Sequence, residues 1–335
     1  MTVPQLECLV VELGQPKYIA GYIFSFIHTK GATDIAAITS LSKLFRNQLV
    51  EAGYCISSLT IIDKLTDPDG TIKFVFGLPD EGRIESVLLF DDDRKTLCIS
   101  TQAGCAMGCV FCATGELGLK RNLTAGEIID QVLLAIRGTG AESRVTNVVF
   151  MGMGEPLANY ESVLDAVRIL NHPKGLNIGI RRITISTCGF ADAIKRLADE
   201  DIEPRLAVSL NAPTDAIRQK LMPITKKYSL DRLFEAIGNY QHKTRNRVTF
   251  EYVLIDGLND TVTLAKMLIK RIRPFLCNVN LIEYNPHKGC DLKPAPKDAI
   301  ERFANVLKEA GIETTIRFKK GQKICAACGQ LGAKS

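Results

Sequence analysis

The chain of 335 residues has no tryptophan and only four histidines, which stand far apart, so a histidine-rich zinc site is not indicated. It has no apolar run of eighteen or more residues, and we therefore expect no membrane-spanning helix. It does not begin with a basic stretch followed by an apolar one, so we expect no secretory signal and predict a cytoplasmic protein. The net charge of +5 is too small to demand or exclude a nucleic-acid partner.

Cysteine, by contrast, is plentiful, with eleven in the chain. Cys105, Cys109 and Cys112 fall within eight residues in the spacing C-x3-C-x2-C. Thiolates are the usual ligands of iron–sulfur clusters, and one such loop can hold three irons of a cubane and leave the fourth free. Two alternatives stay open, because neighbouring cysteines also occur as buried apolar side chains or as half of a zinc site.

Residues 1–90 are expected to form a small accessory domain of helices and a β-hairpin. Apolar residues at helical spacing predict two helices, and the run Asp67-Pro-Asp-Gly predicts a turn before segments in which apolar residues alternate. The predicted helices are residues 17–28 and 41–52, and the predicted hairpin strands are 72–78 and 83–90.

From about residue 95, short β-rich runs alternate with longer amphipathic runs, which is typical of consecutive βα units and a parallel sheet. Six or seven units are too few for a closed eight-stranded barrel. We therefore predict an α/β fold, an open partial (βα)6 barrel over residues 91–318 followed by a tail over 319–335. The predicted strands are 96–100, 147–151, 182–186, 205–209, 248–254, 279–283 and 314–318, and the predicted helices include 125–137, 230–241 and 297–310.

Polar residues follow the carboxyl ends of several predicted strands, where the loops of such a barrel converge. Gly154 and Glu155 lie in the run Gly-Met-Gly-Glu-Pro, in which glycine would let a ligand approach the backbone and the carboxylate could accept an ammonium group. Serine and asparagine also cap helices, which would explain each residue singly. Together with the cysteine loop they indicate one shared ligand. The other members of this set are Ser186, Ser209, Leu210, Asn211 and Asn285.

Longer runs extend these observations. They are RKTLCISTQAGC from Arg94, CATG from Cys112, RNLT from Arg121, GMGEPL from Gly152, YNP from Tyr284 and AACGQL from Ala326. Together they resemble the RlmN type of radical S-adenosylmethionine (AdoMet) RNA methyltransferase. The resemblance implies a radical SAM partial barrel, one 4Fe-4S cluster whose free iron takes the amino and carboxylate groups of AdoMet, and two AdoMet per turnover. It also implies methylation of carbon 2 of an adenine in large-subunit ribosomal RNA and, in tRNA, of an adenine beside the anticodon.

The resemblance gives individual residues roles. In this family a tail cysteine, Cys328 here, is first methylated, and a radical formed from a second AdoMet then takes hydrogen from that methyl group. The resulting carbon radical adds to carbon 2 of the adenine. This ring carbon is too poor a nucleophile to be methylated directly by AdoMet. Cys98 is implied as the thiol that releases the RNA by forming a disulfide with Cys328, and Glu85 as a proton acceptor. Alternation along the hairpin also allows Glu85 to be a solvent-facing strand residue.

The implied partners are ribosomal RNA, tRNA and a reducing protein such as flavodoxin or ferredoxin. We expect a monomer, because an open active site suits an enzyme that acts on a large RNA. Basic clusters such as Lys226-Lys227 and the accessory domain are candidate RNA surfaces, although such runs are also common on solvated faces. Cys325 stands where relatives usually carry an acidic residue, and Asn211 where many carry histidine.

Three other functions stay open. A sister group, the Cfr type, modifies carbon 8 of the same ribosomal adenine. A radical enzyme that modifies peptides could use Cys325 and Cys328 as ligands of a second cluster. An iron–sulfur protein that only binds RNA would need no AdoMet chemistry.

Overall fold

The structure is a computed structural model that describes residues 1–140, 144–317 and 319–333. It contains a large mixed sheet of ten strands and a separate two-stranded sheet. The strands are β1 (Thr60–Thr66), β2 (Ile72–Gly77), β3 (Arg83–Asp91), β4 (Arg94–Cys98), β5 (Gln102–Gly104), β6 (Leu119–Asn122), β7 (Asn147–Phe150), β8 (Ile183–Thr187), β9 (Arg205–Ser209), β10 (Val248–Leu254), β11 (Cys277–Glu283) and β12 (Thr314–Arg317).

Helices connect most of these strands and form the amino-terminal region. No helix among the described residues is both long and apolar enough to cross a membrane. The helices are α1 (Val3–Glu12), α2 (Ile19–His28), α3 (Lys43–Glu51), α4 (Ala113–Glu116), α5 (Ala125–Thr139), α6 (Tyr160–Asn171), α7 (Ala191–Leu197), α8 (Asp215–Leu221), α9 (Leu230–Thr244), α10 (Val262–Ile272) and α11 (Lys297–Glu309).

Seven strands of the large sheet are parallel, in the order β4-β7-β8-β9-β10-β11-β12, with helices in the connections. Phe250 and Tyr252 of β10 pack against aromatic residues of α9 and α11, so this face of the sheet is buried under helices. Within the described ranges β12 pairs only with β11, and the sheet does not close. The predicted α/β organisation is confirmed. The predicted last strand, 314–318, ends on a residue outside those ranges.

The hairpin extends this same sheet. β2 and β3 pair antiparallel, and β3 pairs antiparallel with β4 through the register Val87↔Cys98. β1, which the sequence did not predict, adds an outer strand before the expected Asp67 turn. Its residues are almost all exposed on both faces, so they lack the alternation that reveals a half-buried strand. A domain boundary near residue 90 stays a prediction.

The tail after β12 folds back onto the hairpin. The backbone N–H of Gly321 donates to Oδ2 of Asp69 at 2.8 Å, and the N–H of Lys323 donates to Oδ2 of Asp67 at 2.9 Å. The turn between β1 and β2 thus anchors the start of the tail segment that carries Cys328.

Candidate active site

One cavity lies at the carboxyl ends of the parallel strands and contains about 1000 Å³ of empty space, its open mouth included. Its wall combines the cysteine loop, residues at or after the ends of β7 to β12, and the tail. Because residues from strands far apart in the sheet, such as Gly152 and Arg317, line the same space, the sheet must curl around it. A concave site lined by loops that follow several strands is typical of small-molecule binding.

The three cysteines of the C-x3-C-x2-C loop all line this cavity. β5 and β6 pair antiparallel at the two ends of the loop, and the backbone N–H of Val110 donates to the carbonyl of Leu221 at 3.0 Å. Gly104 has a φ of +78°, and a Cβ on it would lie 1.9 Å from the carbonyl oxygen of Gly118. Only glycine fits where the loop begins, so the fold holds the loop in one position.

The donor set fits an iron–sulfur cluster better than a single ion. Burial raises the pKa of Cys105 to about 11, and burial also raises the pKa of Cys109. A bound cationic metal centre would favour the thiolates and offset this cost. In the part of the chain that the structure describes, no three His, Cys, Asp or Glu side chains converge on one metal ion. A cluster does not require such convergence, because it offers each thiolate its own iron.

Unpartnered polar atoms on the same wall fit a polar ligand. Oε2 of Glu251, the hydroxyl of Tyr284 and Oδ1 of Asn285 are buried without a hydrogen-bond partner among the residues that the structure describes, and all three residues line the cavity. Buried polar atoms are almost always paired in folded proteins. Their grouping here indicates a site for a ligand that carries hydrogen-bond donors.

Glu155 is buried on the cavity wall, where the sequence placed it. Burial raises its pKa, although the backbone N–H groups of Cys188 and Leu157 donate to its two oxygens at 2.7 and 3.1 Å. Gly154 also lines the cavity, but its φ of +101° and its packing explain the glycine without a ligand. A Cβ there would lie 2.5 Å from the side chain of Gln102.

Three of the four predicted residues at the ends of β8 and β9 line the cavity. These are Ser186, Ser209 and Asn211, whereas Leu210 is fully buried and lies outside the wall. The amide of Asn211 has protein partners, because its Oδ1 accepts from the N–H of Val253 at 2.8 Å and its Nδ2 donates to the sulfur of Met222 at 3.2 Å. These bonds tie the end of β9 to β10.

Cys328 lines the cavity next to the cysteine loop. Its thiol is exposed to this space, yet the surrounding protein removes enough water to raise its pKa. Its carbonyl accepts from Nδ2 of Asn285 at 3.1 Å, and the carbonyl of Gly329 accepts from the N–H of Ala113 at 2.8 Å. Thr114 also donates to the carbonyl of Leu331 at 2.7 Å. The segment that follows the third loop cysteine therefore holds the tail directly.

Cys98 lies at the end of β4, half-buried and just outside the cavity wall. Burial raises the pKa of its thiol, and the nearby Cys328 thiol raises it further. The two sulfurs are thus close enough to sense each other's charge. All eleven cysteines lie within the described ranges, and each is a free thiol.

Glu85 does not face solvent, which corrects one of the two interpretations of the hairpin pattern. Its side chain is 14% exposed and lies 3.5 Å from Nζ of Lys73, which is itself 7% exposed. The register Val87↔Cys98 puts Glu85 on the same face of the sheet as Cys98. The tail covers this face, so a strand that looked amphipathic is buried on both sides.

Sequence analysis missed three charged residues of the site. Arg218 is fully buried in α8 and donates to the carbonyls of Cys188, Ser209 and Leu210, which joins the ends of two neighbouring strands beneath the cavity. Glu251 and Arg317 line the cavity from β10 and β12. For Glu251 the available signal was a charged residue inside a largely apolar predicted strand, which is uncommon unless the charge has a use. No such signal existed for Arg218, which lies on a helix, or for Arg317, whose strand begins with two threonines.

Comparisons with known proteins agree with this geometry. A family model described as the Radical SAM superfamily matches residues 99–268. The chain is 44% identical over 333 residues to the dual-specificity RNA methyltransferase RlmN of Syntrophobacter fumaroxidans, covering 99% of this chain and 97% of that protein. It is 47% identical to a probable RlmN of Thermotoga sp. strain RQ2, covering 98% and 95%. The crystal structure of a radical SAM methyltransferase from Sphaerobacter thermophilus superposes with a TM-score of 0.95 at 44% identity, covering 100% of this chain and 98% of that one.

Proposed function

Since this chain belongs to the RlmN family of radical SAM RNA methyltransferases, we propose that it methylates carbon 2 of one adenine in large-subunit (23S) ribosomal RNA and of the adenine beside the anticodon in tRNA. The observation that carries the proposal is the position of Cys328 on the wall of the cavity that the three loop cysteines line. A thiol held there can receive a methyl group inside the cavity and present it to a base that enters through the mouth.

Cys105, Cys109 and Cys112 would hold a 4Fe-4S cluster, and Gly154, Glu155, Ser186, Ser209, Asn211 and Asn285 would surround AdoMet. Leu210, which the sequence also predicted, would lie behind this wall and support it. When bound, these groups supply a transferable methyl group, a radical that removes a hydrogen atom, and an acceptor for the electron that the RNA adduct gives up. Two AdoMet are consumed per turnover, one for each of the first two roles. The unpartnered atoms of Tyr284 and Asn285 support a polar ligand in this space.

Cys328 carries the methyl group in this proposal. Its thiol would lose a proton and take the methyl group of AdoMet, whose methyl–sulfur bond would break as the new carbon–sulfur bond forms. Loss of one hydrogen atom from this methyl group would then leave a carbon radical that adds to carbon 2 of the adenine. The hydrogen bonds from Asn285 and Ala113 to the Cys328–Gly329 backbone support this role, because they fix the carrier while it reacts. The target base must leave its stack to reach the thiol.

Cys98 and Glu85 complete the reaction. The Cys98 thiolate attacks the sulfur of Cys328, which forms a disulfide, breaks the carbon–sulfur bond and leaves a carbon that takes a proton to become the methyl group. Glu85 accepts the proton that the ring carbon loses. Mutual electrostatic influence of the two thiols and the shared sheet face of Glu85 and Cys98 support these roles.

The remaining partners follow from the substrate. Lys226 and Lys227 are exposed and follow Leu221, whose carbonyl holds the cysteine loop. They would contact RNA phosphates. The accessory region of residues 1–90 would add a second RNA surface. We expect a cytoplasmic monomer that is reduced by a flavodoxin or a ferredoxin.

The test is to purify Cys98→Ala and Cys328→Ala variants from cells, with Cys8→Ala as an exposed cysteine control. Cys98→Ala should carry covalently bound RNA, and Cys328→Ala should carry none. Cys98→Ala protein free of RNA would count against the mechanism.

Mass spectrometry of nucleosides from ribosomal RNA and tRNA, treated with reconstituted enzyme, AdoMet and reductant, identifies the modified carbon. A methyl group on carbon 8 would instead indicate the Cfr type of activity.

A further inference from the structure

Three carboxylates line the cavity, and they differ in how their oxygens are used. Both oxygens of Glu155 accept backbone N–H groups, and Oε1 of Glu283 forms an ion pair with Nζ of Lys319 at 2.5 Å. Oε1 of Glu251 accepts from Nδ2 of Asn280 at 2.8 Å, but its Oε2 is buried and has no hydrogen-bond partner within the described part of the chain. Among the cavity carboxylates, Glu251 thus keeps an oxygen free for a ligand.

Glu251 faces the cavity because of the strand alternation in β10. Its neighbours Phe250 and Tyr252 pack on the helix side, and it lies opposite Ser209 of β9 and Asn280 of β11 in the sheet register. The residue is only 5% exposed, and burial raises its pKa. Arg317 on the same wall is near enough to lower this pKa in part, but it forms no hydrogen bond or ion pair with Glu251. A positively charged occupant would therefore be stabilised next to the buried Oε2.

The occupant must come close to Cys328. Glu251 is near enough to that thiol to raise its pKa, while Arg317 lowers it. A sulfonium that delivers a methyl group to Cys328 must lie next to its sulfur, and therefore within the electrostatic range of Glu251. RNA is a poorer occupant for this position, because its phosphates would be repelled by a carboxylate.

We infer that Glu251 is a charge-selective binding residue that distinguishes AdoMet, a sulfonium cation at sulfur, from S-adenosylhomocysteine, the neutral thioether that remains after the methyl group has moved to Cys328. This inference rests on the proposed function, in which one cavity takes two AdoMet molecules in succession. Loss of the sulfonium charge weakens the attraction to Glu251, and the spent ligand leaves before the second AdoMet enters.

The test measures binding rather than activity, without RNA, on anaerobically reconstituted protein that holds its cluster. Calorimetric titrations give the dissociation constants of AdoMet and S-adenosylhomocysteine, two ligands that differ by a methyl group and a charge. The native protein should prefer AdoMet by about tenfold, in keeping with a partly screened charge interaction. Glu251→Gln should reduce this preference to about twofold or less, whereas Glu251→Asp, which keeps the charge, should retain most of it.

Glu283→Gln is the matched control, because Glu283 lies on the same wall but already has Lys319 as a partner. Its preference for AdoMet should equal that of the native protein. If Glu251→Gln left the ratio of the two dissociation constants unchanged, the inference would be overturned. This includes the case in which both ligands bind more weakly by the same factor, which would place Glu251 against the ribose or the base. Failure of the proposed function would appear separately, as absence of methylated Cys328 in the native protein after incubation with AdoMet.

Discussion

The carboxylate of Glu85 accepts a hydrogen bond from the backbone N–H of Gly332 at 3.0 Å, four residues beyond Cys328. Its partner Lys73 lies 3.5 Å from the carbonyl of Cys325, three residues before Cys328. One ion pair on the hairpin therefore contacts the tail on both sides of Cys328.

Replacing Lys73 should loosen this part of the tail. Lys73→Met leaves the buried carboxylate of Glu85 without its cation, and we expect a loss of about 1–3 kcal/mol in the free energy of unfolding. Hydrogen exchange at residues 325–332 should become faster. Denaturant unfolding and exchange measured by mass spectrometry check both expectations, with exposed Lys43→Met as the control. Unchanged exchange in the tail would contradict the role of the ion pair.

Thr114 offers a separate test of how the cysteine loop holds the tail. Thr114→Val removes the hydrogen bond to the carbonyl of Leu331 but keeps the side-chain shape, and it should cost about 1 kcal/mol. Methylation of Cys328 by AdoMet should slow because the thiol is less well fixed, while the iron content stays the same. Thr114→Ser restores the hydroxyl and should recover most of the rate. A slow Ser variant would argue against the hydrogen bond as the cause.

Arg218 should be among the most sensitive positions for stability. Arg218→Met leaves the carbonyls of Cys188, Ser209 and Leu210 without their shared donor in a buried setting, so we expect a loss of more than about 3 kcal/mol. Lys220→Met, an exposed change on the same helix, should change stability by less than about 0.5 kcal/mol. Equal unfolding midpoints of the two variants would contradict this assignment.

His28 predicts acid sensitivity of the amino-terminal region. Burial, and to a lesser extent the nearby amino terminus and His172, lower the pKa of His28 from 6.5 to about 3. Between these two pKa values His28 is protonated in the unfolded chain but not in the folded chain. The free energy of unfolding is therefore highest above pH 6.5 and decreases as the pH drops towards 3. The slope contributed is at most about 1.4 kcal/mol per pH unit. Unfolding should be measured at several pH values. The free energy of unfolding should fall less steeply with decreasing pH in His28→Phe than in the native protein, whereas His242→Gln, a change at an exposed site, should behave like the native protein.

Lys226 and Lys227 allow a test of the proposed RNA surface. Changing both to alanine should weaken RNA binding and reduce its dependence on salt by about one unit for each phosphate that the variant no longer binds. AdoMet binding should not change, because neither residue lines the cavity. Titrations of RNA at several salt concentrations measure this effect. Equal salt slopes in native and variant protein would exclude this patch.

Much of the barrel could be predicted because its signals are local. The predicted strands 205–209 and 248–254 coincide with β9 and β10, where runs of apolar residues end at polar ones. β4 lies two residues earlier than predicted, because the polar stretch that follows it belongs to the turn into β5. The family resemblance supplied the enzyme class, and the relatives confirm it over the peptide-modifying and purely RNA-binding alternatives.

The tail contacts could not be predicted in this way. Lys73 and Cys325 are 252 positions apart, and no periodic pattern connects them. Alternation suggested that one face of the hairpin meets solvent, whereas the tail covers it. Glu251 was visible as a charge within a strand, but only the folded sheet reveals that one of its oxygens has no partner.

Each aspartate of the turn between β1 and β2 uses its two oxygens differently. Oδ1 of Asp67 and Oδ1 of Asp69 accept N–H groups within the turn, from Asp69 and Thr71, while their Oδ2 atoms hold the tail. The length of this surface turn is thus set by a distant part of the chain as well as by its own two strands. Inserting or deleting even one residue here should displace the sulfur of Cys328, although every residue of the cavity wall would stay the same.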